Sequence, residues 1–133
     1  MKTQVEFRSD KFPPYEGEEE QINPDLWGKR LGEYLKEKLI GYGIETGELI
    51  AEDWGWEFHV KNKAFKIWIG CGNYAEYPNS YLCFVEPNKP TIRRLFKKID
   101  TTIDVGRVVD ALDKILKSDP EITGVRWWDE DEK

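Results

Sequence analysis

EDWGWEFHVKNKAFKIWIGCG, residues 52–72, is the stretch on which the fold turns. Trp54, Trp56, Phe58 and Val60 recur at every second position, and Phe65, Ile67, Ile69 and Cys71 do so again after a short polar break. Side chains of a strand alternate between faces, so two such runs in tandem predict a hairpin with one apolar side. A two-residue turn at Asn62-Lys63 pairs Val60 with Phe65, Phe58 with Ile67, Trp56 with Ile69 and Trp54 with Cys71, all on one face. The other face then receives Glu57 with Trp68, and His59 with Lys66. Asn-Lys is not a favoured hairpin turn, so the register rests on the apolar face it creates, which a slip of one residue would scramble.

An apolar sheet face needs cover, and two segments offer it. In NPDLWGKRLGEYLKEKLIGYG, residues 23–43, Trp27, Leu31, Leu35 and Leu39 recur every four residues. Asn23 suits the N-cap, Pro24 the first turn and Gly41 or Gly43 the stop. In TTIDVGRVVDALDKILKSDP, residues 101–120, Val105, Val108, Val109, Leu112, Ile115 and Leu116 form a second stripe, which Pro120 ends. Strands are predicted at Thr3–Arg8, in NSYLCFVEP (79–87) and in ITGVRWW (122–128), where Trp127 and Trp128 point to opposite faces. IRRLFKKI (92–99) has its apolar residues at helical spacing, and KFPPYEGEEEQ (11–21) reads as loop. The fold class is therefore α+β: an antiparallel sheet of about four to six strands with two long helices packed on one face, a two-layer sandwich in a single domain over residues 1–133. Its predicted core holds Trp27, Leu31, Leu35, Leu39, Trp54, Trp56, Phe58, Val60, Ile67, Ile69, Val109, Leu112 and Leu116.

Six Trp, six Tyr and six Phe against one Met make the apolar part unusually aromatic, which supplies a 133-residue domain with core area from few positions. The net charge of −6 argues against general nucleic-acid binding, which needs a basic face, and suits a basic protein partner. No window is long and apolar enough to span a bilayer, and MKTQVEFRSD carries no leader-like stretch, so a cytoplasmic protein without a membrane role is expected. Cys71 and Cys83 lack CxxC spacing, and reduced thiols rather than a structural disulfide are expected. Glu18-Glu19-Glu20 and the tail Asp129–Glu132 read as solvated charge.

Candidate chemistry is sparse. His59 on the polar face of the hairpin has no nucleophile beside it, and one His with two distant Cys does not make a zinc site. WIGCGNY (68–74) places Cys71 between glycines with no evident base, which favours a buried thiol where another chain segment comes close. Glu52 and Asp53 read as loop carboxylates ahead of the strand that carries Glu57. Arg93, Arg94, Lys97 and Lys98 are expected to meet the protein's own acids or water. Trp68 stands out, because an aromatic among charges is typical of a binding anchor. The candidate binding residues are Trp68, Glu57, His59, Lys66 and Trp128; no catalytic residue, metal ligand or cofactor is expected.

Residues 24–73, and DWGW most specifically, resemble small uncharacterised bacterial proteins that share a helix, an EDWGW strand and a WIGCG strand. The resemblance implies a bacterial source and a compact α+β domain, and no activity. The functional expectation is a non-enzymatic protein-interaction module of the kind that neutralises a basic partner, as immunity and antitoxin proteins do. A small-molecule binder with an aromatic pocket between sheet and helices is the alternative, and a cysteine enzyme a more distant one.

Overall fold

The computed structural model describes residues 1–129, so the part of the acidic tail from Glu130 to Glu132 lies outside the described residues. The chain runs β1 (Lys2–Arg8), α1 (Glu18–Gln21), α2 (Lys29–Ile40), β2 (Ile50–Glu52), β3 (Gly55–Val60), β4 (Ile67–Asn73), β5 (Ser80–Glu86), β6 (Thr91–Arg94), β7 (Lys97–Asp100), α3 (Thr102–Ser118) and β8 (Thr123–Asp129). Six strands form one antiparallel sheet in the order β2-β3-β4-β5-β1-β8, and β6-β7 form a small second sheet. The α+β class and the antiparallel sheet are as the sequence indicates. Only α3, with 17 residues, is a long helix; α2 has 12 and α1 a single turn.

The alternation in residues 56–71 sorts side chains as expected, with Trp56, Phe58, Val60, Ile67, Ile69 and Cys71 all buried. The register differs from the sequence-based one by two residues: Val60 pairs with Ile67, Phe58 with Ile69, Trp56 with Cys71, and His59 with Trp68. A shift of two preserves both faces, which is why the faces were readable and the turn was not. Phe65 causes the shift. It leaves the ladder to bury itself in the core, and residues 61–66 become a longer connection in which Asn62 Nδ2 donates to the Phe65 carbonyl at 3.1 Å. Trp54 is not core either, because Asp53 and Trp54 form the turn between β2 and β3, leaving Trp54 36% exposed. Trp27 and Val109 are only partly buried against the core; the other predicted core residues are buried.

α2 starts at Lys29, five residues after Pro24, and its N-cap is Gly28, whose side chain offers nothing. The cap comes from Glu18 instead. Its Oε2 accepts from the backbone N–H of Gly28 (2.8 Å) and Lys29 (2.9 Å) and from Trp56 Nε1 (2.9 Å), while Oε1 accepts from the Tyr15 N–H (2.9 Å). The expectation of a solvated Glu18 is therefore wrong: it is 2% exposed, a buried carboxylate satisfied by four donors and placed at the positive end of a helix. Gly28 and Gly55 both crowd the Cys71 carbonyl, where an added Cβ would lie 2.6 and 2.3 Å from its oxygen. Those contacts lock the start of α2 and the start of β3 against the middle of β4.

IRRLFKKI is not a helix. Ile92 faces Ile99 across the β6–β7 hairpin, and Leu95 and Phe96 form its turn. Eight residues with little cover are too few to sustain an isolated helix, whereas the hairpin roots both isoleucines against the core. The layer between the sheet and the helices is filled by Val5, Phe58, Ile69, Val85, Leu31, Leu35, Val108 and Leu112, all at 0% exposure.

Candidate docking face on the open side of the sheet

Residues that alternate with the core point to the face without helices. Along β4 these are Trp68, Gly70 and Gly72, and along β5 Leu82, Phe84 and Glu86. The two central strands thus carry large side chains on one side of a glycine track. Phe84 lies across Gly70: an added Cβ there would sit 2.3 Å from Phe84 Cζ and 2.7 Å from Trp54 Cη2. The rings converge on that gap, Trp54 to Phe84 at 5.1 Å between centroids and Trp68 edge-on to Phe84 at 5.6 Å. One pair is tilted at 51° and the other edge-on at 78°, and ring contacts at such distances stabilise one another, so the three form an aromatic strip.

Acidic groups border one side of the strip. Glu57 sits opposite Gly70, and Glu52, in β2 rather than the expected loop, lies beside it. Burial, then a hydrogen bond to Glu52 and that neighbour's charge, hold the Glu57 carboxyl above the usual carboxylate range, with His59 opposing. Glu57 therefore holds its proton to higher pH than an ordinary carboxyl.

Of the five residues singled out from the sequence, Trp68, Glu57 and His59 share this face, with His59 directly opposite Trp68. Lys66 precedes β4 and lines, with Trp68, Glu86, Ile92 and Arg94, a cavity of about 390 Å³ at the end of the strip. Trp128 is on the same face but not in the same place. It pairs with Gln4 on the far side of β5 and β1, about 14 Å from β4 at the usual strand spacing, and is 7% exposed under Arg126. Trp127 points the other way, its Nε1 donating to Asp113 of α3 at 2.9 Å. Trp54, Phe84 and Glu52 were not among the binding residues singled out from the sequence; the signal for the two rings was Gly70, a missing side chain two residues from Trp68 on the same face.

The other chemical candidates lie elsewhere. Cys71 is inside β4, not on a flexible turn, and faces the helices opposite Cys83 with the sulfurs 3.8 Å apart. Both thiols are buried and free, and burial pushes that of Cys83 well up. Among the described residues no three His, Cys, Asp or Glu side chains converge as a metal site. Arg93, Arg94, Lys97 and Lys98 make no ion pair among the described residues; Arg94 Nη1 donates to the Ala64 carbonyl at 3.0 Å. No helix is long and apolar enough to cross a membrane among the described residues. Compared with protein-family models, curated proteins and solved structures, the chain matches none.

Proposed function

We propose that the protein is a non-enzymatic interaction module that binds a basic protein through the aromatic strip Trp54–Phe84–Trp68 and its carboxylate border. The observation that carries this reading is the strip itself: three converging rings on a sheet face that the helices leave open, one of them seated over a glycine that makes room for it. Preorganised aromatics surrounded by charge are the usual energetic centre of a protein interface. The Glu52–Glu57 pair and a net charge of −6 favour a cationic partner and accelerate encounter with it. An immunity-like role, neutralising a basic enzyme in the same cell, is the most specific form of this reading.

The test is affinity capture from a lysate of the source organism, read by mass spectrometry, with Trp68→Ala and Gly70→Ala as paired baits. The expected result is one stoichiometric basic protein, lost with either variant while circular dichroism shows both folded. Capture of the same proteins by all three baits would remove the strip as the binding surface.

A further inference from the structure

The β6–β7 hairpin forms a two-stranded sheet of its own, apart from the six-stranded one. Leu95 and Phe96 at its tip are 87% and 100% exposed, and Leu95 has φ 57°, a conformation that costs a branched residue energy. Behind the tip, Arg94 faces Lys97 and Arg93 faces Lys98, two like-charge pairs directly opposite one another. Like charges at such positions destabilise a hairpin, and no acid among the described residues pairs with them. A tip with two apolar side chains and four cations calls for a surface that is aromatic and acidic. The molecule carries one: the Trp54–Phe84–Trp68 strip with Glu52 and Glu57.

From this complementarity we infer that the hairpin docks on the open sheet face of a second copy of the chain, Leu95 and Phe96 against the rings and the cations against the carboxylates. The hairpin is rooted beside its own face, since Ile92 and Arg94 share the 390 Å³ cavity with Trp68. Two copies related by a two-fold axis therefore exchange hairpins reciprocally, and association stops at a dimer. The inference rests on the proposed reading of that face as a docking surface. It adds a regulatory consequence, because a basic partner and the second copy's hairpin compete for the same rings.

Sedimentation velocity over a concentration series, at low and high salt, tests this. The wild-type chain is expected to reach twice 15.7 kDa, more weakly at high salt. The Leu95→Ser/Phe96→Ser double variant and Trp68→Ala should each raise the dimer dissociation constant at least about tenfold. Both tip residues are exposed, so the double variant keeps its fold, which circular dichroism checks. A wild-type chain monomeric throughout the series overturns the inference, as does a dimer indifferent to the tip or to Trp68. Tip-dependent binding of a monomer to phosphatidylserine vesicles would assign the hairpin to lipid instead. A monomer that still captures a basic protein through Trp68 would overturn the dimer while leaving the proposed function standing.

Discussion

Glu18 has a role that its setting in an EEE run conceals. One carboxylate satisfies the N–H groups of the N-cap Gly28 and of Lys29, the first residue of α2, with the Tyr15 N–H and the Trp56 indole, tying a loop, a helix start and a core strand together. Glu18→Ala strands four buried or half-buried donors and is expected to cost about 3 kcal/mol in chemical denaturation. A loss under about 1 kcal/mol would mean that water replaces the carboxylate. Glu57 behaves oppositely. Its folded-state pKa lies above the ordinary value of 4.5, so its contribution to stability is complete below that value and is lost as pH rises through the folded pKa. Glu57→Gln fixes the neutral form and should raise the melting temperature at neutral pH while changing it little in acid. An equal change at both pH values would show that the Glu57 carboxyl is not held above its ordinary value in the fold.

Among the elements, the middle of α2 and the end of α3 are held together by one cluster outside the core. Asp119, just past α3, accepts from Lys11 Nζ at 2.6 Å and from the Tyr34 hydroxyl at 2.7 Å, joining the loop after β1 to both helices. Lys11 first and Tyr34 second hold the Asp119 carboxyl down at about 2. A depressed carboxylate stabilises the fold above its ordinary value of 3.8 and loses that contribution as pH falls towards 2. Asp119→Asn should therefore melt lower than wild type at neutral pH, with the two curves converging near pH 2 in thermal scans. Neither this cluster nor the Glu18 cap was legible in the sequence, because each joins residues far apart in the chain whose types are ordinary for a surface. The hairpin faces, the α3 stripe and the opposite directions of Trp127 and Trp128 were legible, because alternation and helical spacing are local. Residues 92–99 misled because Ile92 and Ile99 satisfy a helical spacing and a hairpin pair equally well. Trp54 misled because a turn interrupted the alternation to which it seemed to belong.

At the scale of the molecule, the helices cover one side of a six-stranded sheet and leave the other to a strip of rings bordered by carboxylates. Periodicity in the sequence assigned Trp68 to that side. The convergence of Trp54 and Phe84 on it depends on the β4–β5 register and on the missing side chain at Gly70, and both emerge only when the strands are paired. Tryptophans lie at two separate places on the open face, Trp54 and Trp68 within the strip and Trp128 three strands from Trp68 beside Gln4. That separation permits a decisive comparison: calorimetric titration of the captured basic partner against wild type, Trp68→Ala and Trp128→Phe. If the strip is the docking centre, Trp68→Ala weakens binding by at least about tenfold and Trp128→Phe leaves it within about twofold. Full affinity retained by Trp68→Ala, or a loss concentrated at Trp128, would contradict it.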